Sequence, residues 1–402
     1  MLNGKPTSFE LFAGAGGLAL GVELAGFRSL GVVEWDKWAC ETIRENQRRE
    51  HPLVSGWRVH EADVRNFDWK SVSEDVDLLA GGPPCQPFSI GGVGRAYDDA
   101  RDMFPAMISA VRVLEPRAFI VENVKGLLRS QFSDYYQYIL LRLEFPERVI
   151  KRGETWEKHL RRLQKAKSSA PAPRSELTYN VIPTLVNAAN YGVPQKRERV
   201  FIVGFRSDLS IEWSFPSPTH SLSALRYSKR KGGEYWERHA VSSKNRTFEA
   251  RYQDLNDGKK PWRTVRDALA SLPDPTAYAA ADVLNHELRL GAKAYPGHTG
   301  SALDMPSKTL KAGVHGVPGG ENMLIGDDGL PRYYTVREAA RIQTFPDGYC
   351  LNGAWSEAMR QLGNAVPVKL GQIVASSVAE ALLQNEIEYV RKTMLRKGVK
   401  LA

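Results

Sequence analysis

Phe9-Glu10-Leu11-Phe12-Ala13-Gly14-Ala15-Gly16-Gly17-Leu18 reads as the end of a strand, a glycine turn and the start of a helix. Glycines in such a turn let the backbone approach a ligand where a Cβ would clash. Outward from it, short β-branched or apolar runs alternate with helical patterns through the first half of the chain, which predicts a parallel, doubly wound α/β sheet. Strands are expected at 8–13, 30–35, 58–63, 76–80, 118–122, 181–187 and 199–205, with helical patterns at 17–25, 37–49, 103–114 and 134–143. After about Arg206 the alternation stops, and a stretch rich in Pro, Ser, Gly and charge runs to Arg332. Helical signal then returns, with Thr335 as the N-cap of a helix over 336–344 and another over 368–385. The expected organisation is a Rossmann-like domain from residues 1–206 plus 333–402, a smaller irregular domain at 207–332, and a basic insertion at 145–178.

The bulk numbers exclude several classes. At 402 residues, with 25% charged and 42% hydrophobic side chains, the composition is that of an ordinary soluble protein. No apolar run approaches the ~20 residues of a membrane span, and Met1-Leu2-Asn3-Gly4-Lys5-Pro6 lacks a secretory h-region. Three cysteines without a C-x-x-C pair argue against a disulfide framework and against a zinc site, so a reduced, cytoplasmic protein without a metal is expected. The net charge of +9 favours a polyanionic partner. Nine basic residues face three glutamates between Phe145 and Ser175, and eleven face five acidic ones between Arg226 and Arg263. In the second stretch Tyr227, Tyr235, Trp236, Phe248, Tyr252 and Trp262 are interleaved, a mixture suited to neutralising phosphates and stacking on bases. The first stretch reads equally well as a solvated surface insertion ending in the linker-like 168–173.

Two constellations carry chemistry. Beside the glycine turn, Glu34 ends the second strand, where a carboxylate can accept both hydroxyls of a ribose. Trp35 offers a flat face for an adenine, and Asp63 an acceptor for its amino group. The glycine spacing departs from G-x-G-x-x-G and no basic residue is placed for a pyrophosphate, so S-adenosylmethionine fits better than NAD. The second constellation is Gly81-Gly82-Pro83-Pro84-Cys85-Gln86-Pro87-Phe88-Ser89, a stiff turn holding one thiol at a strand's carboxyl end. Glu122-Asn123-Val124 closes a neighbouring strand. A thiol and a carboxyl beside a methyl donor suggest conjugate addition to a pyrimidine, with thiol attack at C6, a protonated Glu122 at N3 and methylation at C5. Arg197 and Arg199 alternate at period two, so both are expected on one face with Glu198 on the other.

Eight blocks in order resemble the C5-specific DNA cytosine methyltransferases: 12–17, 34–36, 63–64, 83–89, 122–124, 195–199, 337–347 and 361–367. The resemblance implies Cys85 as nucleophile, Glu122 and the adjoining Asn123 at the base, and Arg199 with Arg197 bonding the flipped cytosine. It implies an S-adenosylmethionine pocket formed by Phe12, Gly14, Gly16, Gly17, Glu34, Trp35, Asp63, Val64, Pro84, Asn364 and Ala365. It further implies double-stranded DNA as substrate, base flipping with the 86–101 loop as lid, and 207–332 as the target-recognition domain. A stand-alone monomer of restriction–modification type, acting beside a separate cognate endonuclease, is expected. The insertion at 145–178 departs from the family pattern, and an added phosphate contact is its expected role. A tRNA cytosine methyltransferase on the same scaffold is the nearest rival, but that group's signature between the arginine block and the C-terminus is missing. A catalytically dead DNA-binding relative would not retain Cys85, Glu122 and Arg199 together.

Overall fold

Seven strands form the central sheet: β1 (Thr7–Leu11), β2 (Arg28–Glu34), β3 (Val59–Glu61), β4 (Leu78–Gly81), β5 (Ala118–Val124), β6 (Tyr179–Asn187) and β7 (Glu198–Arg206), in the order β3-β2-β1-β4-β5-β7-β6. The computed structural model describes residues 4–84, 102–169, 175–248, 257–296, 299–312 and 322–396. Helices α1 (Gly17–Leu24), α2 (Lys37–Arg48), α3 (Phe104–Leu114) and α4 (Ser133–Glu144) follow β1, β2, β4 and β5. The strand interiors are nearly continuous runs of Val, Ile, Leu and Phe, as expected where helices cover both faces of a sheet.

The expectation of a wholly parallel sheet needs one correction. β7 pairs antiparallel with both β5 and β6, while the other six strands run one way. Only residues 188–197 join β6 to β7. A parallel return needs a crossover of a dozen or more residues, so the chain turns back on itself instead.

The basic insertion is also more ordered than a solvated linker. It contains α5 (Trp156–Ser168), N-capped by Thr155, which buries His159, Leu160 and Leu163. Leu160 and Leu163 join the core cluster beneath α4, and the Trp156 ring lies 5.7 Å from both Tyr135 and Tyr138. Part of its positive charge is neutralised locally, by Arg162–Glu154 and Lys167–Glu144.

From 207 to 332 the elements are short: β8 (His220–Ser221), α6 (Leu222–Ser228), α7 (Glu234–Arg238), β9 (Lys260–Pro261), α8 (Val265–Leu269), β10 (Ser301–Ala302), β11 (Met323–Ile325) and β12 (Pro331–Tyr333). Leu225, Tyr235, Trp236, Val241 and Trp262 form a small core here. Three of the aromatics expected to stack on bases are therefore core residues: Tyr235, Trp236 and Trp262 are 0%, 1% and 8% exposed. A region with few aliphatic residues recruits its aromatics for burial. Tyr252 lies outside the described residues. Both ends of the region pack into the first core: Leu209, Trp213 and Phe215 against the sheet, and Val265, Leu310 and Leu324 into the cluster holding Ala13 and Ala15.

The chain then returns through α9 (Val336–Ile342), α10 (Trp355–Asn364) and α11 (Val368–Arg396). Thr335 caps α9 as expected, in a reciprocal box with Glu338. α11 lies along α1, so closely that a Cβ on Gly21 would sit 2.5 Å from the Gln372 backbone nitrogen. The segment Trp355–Leu395 contains a window long and apolar enough to cross a membrane, contrary to the sequence reading. Leu370, Val374, Ala375, Val378 and Leu382 nonetheless face the core rather than a lipid surface.

Candidate active site

The carboxyl ends of β1, β2, β4 and β5 open onto one cavity of about 620 Å³. Its walls include Phe12, Gly14, Gly17, Glu34, Trp35, Asp63, Val64, Pro84, Asn364 and Ala365, ten of the eleven residues expected at a cofactor. Gly16 is the exception. It stands behind the wall with φ +88°, where a Cβ would meet the Trp57 ring at 3.2 Å, so it makes the turn without lining the cavity.

Glu34 organises the cradle. The backbone N–H of Gly14 donates to its Oε2 (2.7 Å), and those of Trp35 and Asp36 donate to its Oε1 (2.9 and 2.8 Å). A carboxylate has about four lone-pair sites, so acceptor capacity remains for a ligand hydroxyl. Burial raises the pKa of Glu34, and these three N–H groups oppose the shift. Trp35, 68% exposed, stands at the rim with its face unused. Phe12 adopts φ +56°, an uncommon conformation for such a side chain and a local strain of the kind found at ligand sites. Asp63 caps the turn over 64–66, and its carboxylate is paired with Arg65, which lowers its pKa.

Sequence reasoning passed over Glu10. It sits mid-strand, lines the cavity, and its Oε2 is buried without a hydrogen-bond partner. Burial raises its pKa well above the usual range, with the Glu34 charge adding to the shift. An acidic residue inside the apolar run Phe9-Glu10-Leu11 was the available signal.

At the other end of the cavity, strand register brings the second constellation together. Gly81 pairs with Val121, so Glu122 lies beside Gly82, three residues before Cys85. Asn123 is 2% exposed and donates from Nδ2 to the Pro83 carbonyl (3.1 Å), tying the Pro-Pro turn to β5. Cys85 itself, and the 86–101 loop expected to be a lid, lie outside the described residues. Val124 pairs with Arg199, so the arginine is the diagonal neighbour of Glu122 on the same face. Its Nε donates to Glu122 Oε1 at 2.7 Å. Burial raises the Glu122 pKa, and Arg199 and Arg197 oppose the rise. Glu198 points away and pairs with Lys125 (2.9 Å).

Arg197, expected at the base, is among the residues of the cavity wall and is held from behind. It is 1% exposed and donates to the carbonyls of Leu310 (3.2 Å), Gly363 (2.7 Å) and Ala365 (3.0 Å). Period two put it on the correct face, but a strand's beginning can be buried under a returning chain, and here residues 363–365 cover it. Gln195 and Gln343 pair beside it (2.9 Å) and join the same tether, Gln343 Nε2 donating to the Ala365 carbonyl (3.0 Å).

These contacts fit a nucleoside without phosphates. The three arginines on the cavity wall are all engaged, Arg197 with carbonyls, Arg199 with Glu122, and Arg360 with Asp36 and Glu357. A pyrophosphate would find only paired cations, whereas the acidic rim of Glu34 and the buried Glu10 suit hydroxyls and a cationic sulfonium–amine chain. The residues present therefore fit S-adenosylmethionine. Among the described residues no cluster of His, Cys, Asp and Glu could hold a metal ion.

The profile of the C-5 cytosine-specific DNA methylase family matches residues 7–146 and 173–380. The Type II methyltransferase M.PspPI of Psychrobacter sp. is 32% identical over 93% of this chain and 79% of its own length. The Type II methyltransferase M.Eco47II of Escherichia coli is 32% identical over 94% and 80% respectively. Among solved structures, a putative DNA modification methyltransferase encoded within an E. coli prophage superposes with a TM-score of 0.59 at 20% identity, covering 94% of this chain and 99% of that one. S. pombe Dnmt2 superposes with a TM-score of 0.54 at 17% identity, with the same coverage. The chain belongs to the C-5 cytosine-specific DNA methylase family. It is an enzyme of that family, with a methyl donor of the S-adenosylmethionine type implied by membership. Residues 147–172, which include α5, fall between the two matched stretches.

Proposed function

We propose that this enzyme methylates C5 of a cytosine turned out of a specific short duplex sequence, through a transient bond between Cys85 and C6. The observation that carries the reading is the Glu122–Arg199 pair, on the wall of the cavity that Glu34, Trp35 and Asn364 also line. S-adenosylmethionine held by Glu34, Trp35 and the Gly14 turn supplies the methyl group.

Chemistry at the base falls to the chain's own residues. A free thiol is only a few per cent thiolate at neutral pH, so a cysteine at this position acts as nucleophile once its proton is lost. The Cys85 thiolate adds to C6 and the displaced electron pair moves towards N3. Glu122, kept protonated by burial, hydrogen-bonds N3 and stabilises that charge. Arg199 fixes the carboxyl's orientation and presents its remaining N–H groups to the base. C5, now nucleophilic, takes the methyl group. Loss of the C5 proton to a base then expels the Cys85 sulfur and restores the ring.

A stacked cytosine cannot reach this cavity, so the duplex gives up the base at a cost of a few kcal/mol. Residues 207–332 are the proposed recognition region. We take the enzyme as a monomer that works in the cytoplasm of a prokaryote beside a separate endonuclease. Tritiated methyl transfer to duplex DNA and to tRNA, with Cys85→Ser as control, tests the reading. Transfer to duplex DNA that disappears in the variant is expected. Labelling of tRNA alone, or full activity in Cys85→Ser, would refute it.

A further inference from the structure

A second cleft, of about 470 Å³, takes Gly192 and Pro194 into its wall, a few residues before the Arg197 and Arg199 that line the active cavity. Gly192, Arg263, Arg341 and Lys369 are among the residues that line it. Its charges do not balance. Asp347 is taken by Arg341 through two contacts, Nε–Oδ1 (2.8 Å) and Nη2–Oδ2 (2.7 Å). Asp267 is taken by Arg238 and His239, each at 3.0 Å, and by the cap of α8. No ion pair within 4.0 Å joins any of Lys369, Arg263 and Lys260 to a carboxylate among the described residues.

These three cations are crowded together. Lys369 is half-buried in the first turn of α11, and burial together with Arg263 and Lys260 pushes its pKa down. His220 is 9% exposed, and burial, with Lys369, Lys260 and Arg263 adding to it, pushes its pKa down to about 4. Its ring and the Lys369 ammonium converge on Gly192, whose missing Cβ would lie 2.8 Å from His220 Nε2 and 2.9 Å from Lys369 Nζ. Gly192 has φ +78°, so the backbone there both requires glycine and leaves room for the two side chains to meet. Two first-turn donors of α11 are already used, Val368 N–H donating to the Gln343 carbonyl and Lys369 N–H to Thr344 Oγ1. The anion-attracting capacity therefore resides in side chains, and a half-buried ammonium beside uncompensated cations is stabilised by an anion.

We propose that this cleft is a phosphate site, in which Lys369 and Arg263 hold one phosphodiester of the duplex near the target cytosine. The proposal rests on the reading of the chain as a duplex methyltransferase. Geometry favours the duplex as the phosphate's source. Pro194 on the cleft wall and Arg199 on the active-cavity wall are five residues apart in the chain, a reach of at most about 18 Å. At ~3.4 Å of rise per nucleotide, that corresponds to a phosphate within about five nucleotides of the flipped base.

Two measurements on the full chain test this. Thermal melting in inorganic phosphate, against chloride at equal ionic strength, is compared for wild type, Lys369→Gln and the exposed Arg263→Gln. Binding of a mixed-sequence duplex is then titrated against salt for the same proteins and for Lys392→Gln, a control cation near the other end of α11. Phosphate is expected to raise the melting temperature of wild type only. The slope of log affinity against log salt is expected to shrink by about one in each cleft variant and to stay unchanged in the control. Phosphate stabilisation lost in the variants, with an unaltered duplex slope, would assign the cleft to a free phosphate-bearing molecule and overturn the duplex assignment. An equal phosphate response in all proteins would overturn the site. Because the melting arm contains no DNA, a retained phosphate response without methyl transfer would count against the proposed function and not against the cleft.

Discussion

Arg197 and Arg199 are two residues apart on one face of one strand, yet the structure gives them different work, and replacing Arg197 with Met separates the two. Methionine fills much of the same volume and donates nothing. Of its three carbonyl acceptors, those of Leu310 and Gly363 then lose their donor, while that of Ala365 keeps Gln343 Nε2. Each orphaned acceptor costs about 1–3 kcal/mol. Removing the guanidinium also removes its own burial penalty, several kcal/mol in the opposite direction. A net loss of about 2 kcal/mol follows, or roughly 2–3 °C in melting temperature for a chain of this size. Two of the three carbonyls belong to the 363–365 segment of the cofactor cavity, so the damage should reach S-adenosylmethionine first. Its dissociation constant, read from Trp35 fluorescence or calorimetry, should rise about tenfold, while kcat at saturating donor stays within about threefold of wild type. A fall in kcat of about a hundredfold with unchanged melting and unchanged donor affinity would refute this reasoning and favour Arg197 as a base contact.

Gly17→Ala should destabilise the chain and weaken donor binding together, because its Cβ would collide with the Val366 carbonyl at 2.4 Å and displace the same wall. Donor affinity left intact by this variant would sink that coupling. Glu122 is raised in pKa by burial, so single-turnover rates should fall as pH climbs through its value, where the N3 proton is lost. Glu122→Gln should be slower but flat over that limb, and an unchanged alkaline fall in the variant would contradict the assignment. His220 is depressed from 6.5 to about 4, so the unfolded chain binds the extra proton between those values and stability should drop by about 3 kcal/mol as pH falls from 6.5 to 4. Urea melts of His220→Gln should show a shallower acid limb over that window. Trp156→Ala should cost about 2 kcal/mol in urea melts if the insertion is an integral layer on α4, and nothing measurable if it is a solvated appendage.

The parts of the fold that repeat a local rule were legible in advance. Apolar runs alternating with 3.6-period helices located β1 to β5, and Thr335 three residues before Glu338 announced the cap of α9. Glu34 and Glu122 were readable because a carboxylate ending an apolar strand has few structural reasons to be there. Features decided by long-range packing were hidden. α5 looked like a charge run because its buried side, His159, Leu160 and Leu163, is three residues among many cations. The direction of β7 was encoded only in the shortness of the link before it. The burial of Arg197 and of Tyr235 was hidden for one reason: periodicity says which face a side chain occupies, and not what a remote segment later lays over that face.

The wall formed by residues 360–366 has a consequence for synthesis. The cradle around Glu34 is translated before Cys85 and Glu122, whereas its opposite side, residues 360–366, follows them by more than two hundred residues. An interrupted translation product therefore carries a nucleophile without a place to dock its alkylating partner.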